Sequence, residues 1–477
     1  MVISQINISR LLLVTALLTA LLTVQSQSVE LDKKLGAENA KLVEEQMGIY
    51  ELEALTEYVR AVGKRLVAQI EDPQFLFRFQ VVDDPIPNAF ALPGGYIYVT
   101  RGILSLITSE DELAGVLAHE IIHVTERHSI KQMKKSVFPK LLELPGNVVG
   151  TVVNDDLGDL LNAPIETTNN LLLSSYSRKH ETQSDVLGST LVSKAGYDPR
   201  ALTTILSRLT LAFEYMTNKK EKKSYFDDHP YTPDRVQKIN KTADKLSWSP
   251  LAKINSDFPS PLDGMLFGNN PAHGIFEENE FLHPDLGFTI RFPRNWETSN
   301  QTTTVGAVHP DRKAAIFLGL EDPQKSTAEL GKEFESALKE KYPRTPMKSK
   351  TVVVNNQPAY VITLTDTSGA EPMYIYLAWT RIDQLVFKLI GMAPTRYEED
   401  LRNSARSLHA MTKEERNRVV KSELKIVVIN SNESWENASE HGRSSKKPEI
   451  NAFLNGMKAD ATLNPGDRVK IVVEKPY

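Results

Sequence analysis

With 477 residues the chain is too long for one compact core and long enough for about two to four domains. Its 41% apolar and 25% charged residues are the composition of ordinary folded protein. A formal net charge of −5 gives no basic field for nucleic acid, and the absence of cysteine excludes thiolate metal sites, cysteine nucleophiles, disulfides and lipidation of an N-terminal cysteine.

At the N-terminus Arg10 precedes an apolar run, Leu11 to Val24, interrupted only by threonines, and Gln25-Ser26-Gln27-Ser28 then turns polar. One positive residue, a short apolar stretch and small residues near its exit predict a secretory signal peptide over 1–28. The run is short for a bilayer-spanning helix, which needs about 20 residues, and the alternative is an uncleaved anchor. The expectation is a mature chain with no stable transmembrane span, periplasmic or secreted.

From Val29 to Ile70 apolar residues recur at helical spacing, predicting an amphipathic helix pair. Strand-like runs follow at Phe75–Val82 and Tyr96–Thr100, punctuated by Pro-Ile-Pro and Pro-Gly-Gly. Ser109-x-x-Glu112 reads as a capping box opening a helix that continues past His123. Lys134–Asn170 has the composition of a long loop excursion and a possible cover. Helices are expected over Leu171–Lys194, stopped by Gly196 and Pro199, and over Ala201–Met216. This first domain is assigned to 29–255.

Residues 256–274, rich in Pro, Gly and Asn, read as a linker. Period-two runs at Gly287–Phe292, Ala314–Leu320, Thr351–Val354, Ala359–Leu364, Met373–Trp379 and Leu385–Ile390, with helices at Thr327–Tyr342 and Thr395–Ala410, predict an antiparallel α+β domain over 275–412. A small module of pattern βααβ is expected over 424–477. The fold class is therefore α+β and multidomain.

The chemistry is carried by His119-Glu120-Ile121-Ile122-His123. On a helix, positions i and i+4 share a face with Cβ atoms about 6 Å apart, so both imidazoles can hold one Zn²⁺. Glu120 sits at the edge of that face, where a carboxylate can take a proton from water. Apolar Leu113, Val116, Leu117, Ile121 and Ile122 would bury the helix, and buried histidines beside a buried glutamate are costly without a partner. The plain alternative is two half-exposed histidines. A catalytic zinc wants three protein ligands. Glu126 would crowd His123 on the same helix and reads as a surface residue, and His128 lies half a turn round. Glu181, on a separate helix with Asp185 at i+4, is the better candidate, an ordinary ion-pair residue being its alternative. Asp185 can accept the free ring N–H of a ligating histidine, and Gly188 continues that face.

Asn88-Ala89-Phe90-Ala91-Leu92-Pro93-Gly94-Gly95-Tyr96-Ile97-Tyr98-Val99, His119–His123 with Arg127-His128, Tyr176-Ser177-Arg178, Glu181-x-x-x-Asp185, Ala195-Gly196-Tyr197-Asp198-Pro199 and His229-Pro230 with Arg235 follow in one order. This set resembles the HtpX/Oma/CAAX-prenyl-protease family of gluzincin zinc metallopeptidases (metallopeptidase family forty-eight), in its exported, BepA-like branch, from Leu35 to Leu246. The resemblance implies one zinc per chain on His119, His123 and Glu181, Glu120 as general base, and Asp185 as the motif aspartate. It also implies an edge strand over Asn88–Val99, where Asn88, Ala89 and Phe90 meet an extended substrate by β-augmentation. His229 and Arg235 match its downstream catalytic positions. Either can stabilise an oxyanion, and His229 can alternatively fill the open metal position. The chain departs from the family at Gln183-Ser184, where Glu-Ala is usual, a change that touches no expected ligand. It also lacks the C-terminal helical repeats of many relatives, so their partners do not transfer.

Phe281-x-His283-Pro284 and Val308-His309-Pro310 read as turns. The domain around them faintly resembles the PsbP/Mog-like sandwich. The tail resembles a degenerate LysM module, which implies possible peptidoglycan binding, although Ser431–Ser434 replaces the usual Gly-Asp-Thr turn. The function implied is a zinc endopeptidase acting on misfolded or misassembled envelope proteins. The alternative is a chaperone-like or peptidoglycan-associated binding protein with latent protease activity.

Overall fold

The helical period expected for 29–70 resolves into two helices, α1 (29–47) and α2 (Glu53–Val67), separated at Gly48, whose φ of 72° a side chain would resist. Leu55, Val59, Val62 and Leu66 of α2 are fully buried, each such side chain contributing about 1.5–3 kcal/mol of apolar burial. The computed structural model describes residues 29–135, 176–217, 229, 233–250 and 258–477, apart from 342, 344, 355, 356, 368 and 370. The expected signal peptide, and the expected loop excursion beyond Lys135, lie outside the described residues. Among the described residues no helix is long and apolar enough to cross a membrane.

A three-stranded sheet follows. β1 (Arg78–Val82) runs parallel to β3 (Tyr96–Thr100), and β2 (Ala89–Leu92) runs antiparallel along the other side of β3. Of the edge expected over Asn88–Val99 only β2 is one, and all four of its residues are buried, while Tyr96–Val99 lie on the central strand β3. The helix α3 (Arg101–Leu106) was not expected. The Thr100 hydroxyl caps it by accepting from the Ile103 amide at 3.2 Å, and its apolar pattern is too short to show a period.

Helix α4 (Glu110–Thr125) begins at Ser109, whose hydroxyl accepts from the Glu112 amide at 3.2 Å. The other half of the expected box differs. The Glu112 carboxylate accepts from the Thr108 amide at 2.8 Å and is held by Arg208, a buried partner that outcompetes the local cap. Arg127, at φ 54°, then turns the chain sharply into α5 (His128–Lys135). The helix α6 (Arg178–Lys194) is capped by Ser177 and packs along α4. Gly188 sets that approach: a methyl placed there would already touch the His119 amide nitrogen at 3.4 Å. α7 (Ala201–Thr217) follows, and α8 (Pro233–Ala243) forms where only a His-Pro segment was expected, proline at its first position being compatible with a helix start.

The expected linker 256–274 is largely structured. Leu262 and Met265 are buried, and the amides of Gly264 and Phe267 donate to the carbonyls of Leu424 and Ser422, so strand pairing with the tail orders it. The chain divides into two compact units, and the tail up to Glu474 falls in the first, with the elements just described. The tail runs β15 (Val420–Val428), α12 (Trp435–Gly442), α13 (Pro448–Leu454) and β18 (Arg468–Pro476), with β15 paired to β18. Its Leu424, Leu454 and Val472 join the core of α2, α4 and α7. Buried Lys470 donates to the carbonyls of Ser105 and Ile107 at 2.8 and 2.6 Å, at the C-terminal end of α3 where cations are favoured.

The second unit, 269–421, holds a seven-stranded antiparallel sheet in the order β10-β11-β12-β13-β9-β8-β7. Its strands are β7 (Glu297–Asn300), β8 (Thr304–Val308), β9 (Ala315–Glu321), β10 (Met347–Val354), β11 (Gln357–Asp366), β12 (Met373–Ile382) and β13 (Leu385–Pro394), with α9 (Thr327–Lys341) between β9 and β10. A smaller sheet contains β5 (Glu280–His283) and β6 (Phe288–Arg291). The sequence pattern missed β5, β7 and β8, which are short; β7 is a polar edge without alternation. His283 and His309 accept backbone amides from Leu286 and Asp311 at 3.3 Å each, the turn roles expected of them.

Candidate metal centre

Helix α4 presents His119, Glu120 and His123 from a segment in which almost every residue is buried. The two imidazoles meet with Nε2 atoms 3.0 Å apart. From α6 the Glu181 carboxylate approaches both, Oε2 at 3.5 Å from His119 Nε2 and Oε1 at 3.4 Å from His123 Nε2. His229, just before α8, completes the cluster. Its Nδ1 lies 3.3 Å from His119 Nε2 and 3.1 Å from Glu181 Oε1, and its Nε2 is 3.6 Å from Glu120 Oε1. One ligand atom from each of His119, His123, Glu181 and His229 falls within 4.8 Å of the others, and all four side chains are buried.

Around this cluster a guanidinium fixes the carboxylates. Arg235 of α8 grips Asp185 with Nε and Nη2, each at 2.8 Å, and reaches Glu181 Oε2 with Nη1 at 2.8 Å and the His229 carbonyl at 3.3 Å. Asp185 Oδ1 in turn lies 3.1 Å from His119 Nδ1, so it accepts the ring proton that His119 must carry on that side if Nε2 is to be a free donor of electrons. Burial raises the Asp185 carboxyl, but its bonds to Arg235 and His119 outweigh that and hold it below the usual carboxylate range. Burial likewise pulls the His119 imidazole down, and Asp185 and Glu181 more than restore it. Burial dominates at His123, which lies well below its ordinary value.

The donor set fits a divalent cation such as zinc. Ring nitrogens 3.0–3.3 Å apart bring imidazole lone pairs to one point, where a proton or a cation must sit between them, and two imidazoles with a carboxylate are an ordinary zinc donor set. The buried carboxylates Glu181 and Asp185 share the guanidinium of Arg235, and the buried Glu120 carboxylate stands beside His229.

The remaining sequence candidates fall elsewhere. Ala89 and Phe90 lie on β2, Phe90 stacked on Tyr98 at 5.2 Å between ring centroids, and the Asn88 amide donates to Thr100 Oγ1 at 2.9 Å. Glu126, expected as a free surface residue, is partly buried and accepts from Gln183 at 2.7 Å. Two contacts of His123 escaped sequence reasoning. The Tyr176 ring stacks on its imidazole at 3.9 Å, with the hydroxyl 2.7 Å from Ser129 Oγ. His128, set aside as half a turn away, is fully buried with Nδ1 3.1 Å from His123 Nδ1. Burial pushes the His128 imidazole down to about 4. The left-handed turn at Arg127, held by a bidentate bond to Asp32 of α1 at 2.6 Å for both contacts, is what brings it back beneath the helix. Helical spacing cannot foresee such a turn.

Comparison with known proteins agrees with this geometry. Residues 53–243 match the profile of Peptidase family M48. The chain is 32% identical over 233 residues to the mitochondrial metalloendopeptidase OMA1 of Schizosaccharomyces pombe, covering 48% of this chain and 64% of that protein. It is 28% identical over 204 residues to the beta-barrel assembly-enhancing protease of Yersinia pestis, covering 42% and 41%. It therefore spans less than two thirds of the length of either. Among solved structures, a cyanobacterial PsbP from Synechocystis matches 28% of this chain and 95% of its own, at 9% identity and a TM-score of 0.23. The His-His-Glu-His cluster lies within residues 53–243, the span that matches Peptidase family M48, and the relatives named there are metalloendopeptidases and proteases.

Proposed function

We propose that the chain is a zinc-dependent endopeptidase of the cell envelope, with His119, His123 and Glu181 as the protein ligands and Glu120 as the general base. The observation that carries this reading is the convergence of those ligand atoms, buried, beside the buried Glu120 carboxylate. Bound zinc would acidify water and polarise the scissile carbonyl. Glu120 takes the proton of the attacking water on a carboxylate oxygen and passes it to the leaving amine nitrogen. Asp185 and Arg235 hold His119 and Glu181 in place; with its donors given to carboxylates, Arg235 acts as an anchor rather than as the oxyanion donor.

His229 restrains the site. Its Nδ1 sits among the ligand atoms and its Nε2 faces Glu120, so as a fourth ligand it occupies the position that water needs. The edge strand at Asn88–Phe90 receives an extended peptide through backbone pairing. The apolar run after Arg10 and the name of the Yersinia relative support export and envelope protein substrates. The strand–helix–helix–strand order of the tail supports a LysM-like module with peptidoglycan as its ligand. The decisive assay is casein cleavage by the purified chain: it should be abolished by a zinc chelator, and Glu120→Gln should lower turnover by about 10²–10⁴-fold with zinc retained. Chelator-resistant cleavage would remove the proposal.

A further inference from the structure

His119 and His123 are backed differently. A histidine that gives Nε2 to a metal carries its proton on Nδ1, and that N–H needs an acceptor to fix the tautomer and ring plane. For His119 the acceptor is Asp185. Among the described residues the atom behind His123 Nδ1 is not a carboxylate oxygen but His128 Nδ1, at 3.1 Å.

We propose that His128 is the positioning residue of His123, the first link of a one-way hydrogen-bond chain that ends on Glu126. His123 Nδ1–H donates to His128 Nδ1, which must then be the unprotonated nitrogen. The His128 proton sits on Nε2 and donates to Gln183 Oε1 at 3.3 Å, and the Gln183 amide donates to Glu126 Oε2 at 2.7 Å. Each link leaves one consistent choice for the next, so the partly buried Glu126 carboxylate orients the whole series. The Ser184 hydroxyl lies 3.4 Å from His128 Nδ1, farther than His123, and shares that lone pair at most weakly. His180 stacks flat on the His128 ring at 4.3 Å and 10°, holding its plane against rotation. Gln183 and Ser184 both stand against the residue that orients His123.

This inference rests on His123 being a metal ligand, and the test separates the two. Two variants invert the alternatives. His128→Phe keeps a flat ring on His180 but offers no acceptor, whereas His128→Asn keeps an acceptor near Nδ1 but loses the ring. Zinc affinity is read by competition with a chromophoric chelator on the full chain, together with melting of the metal-free chain. A hydrogen-bonding role predicts zinc affinity about 10–100-fold weaker in His128→Phe and clearly closer to wild type in His128→Asn, with little change in metal-free melting for Phe. Packing alone predicts the reverse order and overturns the inference, as would equal affinities in both variants. A wild-type chain that binds no zinc would overturn the metal assignment itself, and the relay with it.

Discussion

Helix α4 carries two buried polar clusters, one at each end, and they are closed in opposite ways. At the N-terminal end Glu112 is gripped by Arg208 at 2.8 and 3.0 Å and by Thr204 at 2.7 Å. Beside it Glu110 accepts from Tyr58 at 2.6 Å and Tyr197 at 2.8 Å and pairs with Arg65. Two carboxylates meet two guanidiniums, and the cluster is complete from the chain's own side chains. At the other end two carboxylates share one guanidinium, and imidazole nitrogens point at one another. The difference teaches how the two ends divide the work: a buried cluster whose donors and acceptors pair off is scaffold, whereas one whose imidazole and carboxylate ligand atoms converge on a point is a site.

Breaking the scaffold cluster should have the larger effect on folding. Arg208→Met leaves Glu112 charged and without its guanidinium at low exposure, and should cost about 3–5 kcal/mol in chemical unfolding, with zinc stoichiometry intact. A cost under about 1 kcal/mol would show that the pair is not what closes this end. At the metal end, His229→Ala should weaken zinc binding and speed cleavage of unfolded casein, because the restraining ligand is gone. If His229 instead donates to an oxyanion, turnover should fall by about 10²–10³-fold with zinc retained.

The smallest effect is in pH. Burial raises the Glu112 carboxyl, but Arg208 outweighs it and holds it below its ordinary 4.5. A depressed carboxyl stabilises the fold above the unfolded value and loses that contribution as pH falls through the lower folded value. The stability gap between wild type and Arg208→Met should therefore narrow as pH drops below about 4.5. A gap that widens in acid would reverse the sign of this pairing.

Much of the metal end was legible in sequence because it is written in local spacing. His119 and His123 at i and i+4, and Glu181 and Asp185 at i and i+4 on a second helix, place their side chains by period alone. Arg235 was legible as a position but not as an anchor, since its grip on Asp185 joins residues 50 apart in sequence. His128 was lost because one residue with positive φ, Arg127, resets the helical phase. The scaffold cluster was half legible at its one visible signal, since Ser109 does cap α4. Ser109-x-x-Glu112 looked like a capping box, but tertiary burial redirects Glu112 to Arg208, 96 residues away. In the second unit long alternating strands were visible, and short or polar edge strands such as β7 were not.

The metal end of α4 should close fully only with a divalent cation. The most direct measurement is a zinc titration of the metal-stripped chain, following thermal melting and bound metal together. The prediction is saturation at one zinc per chain, with a stability gain of about 2.7 kcal/mol when free zinc reaches a hundred times its dissociation constant. Glu181→Ala should lose both the tight binding and the gain. Melting that is indifferent to zinc, or a Glu181→Ala chain that binds and is stabilised like wild type, would contradict it.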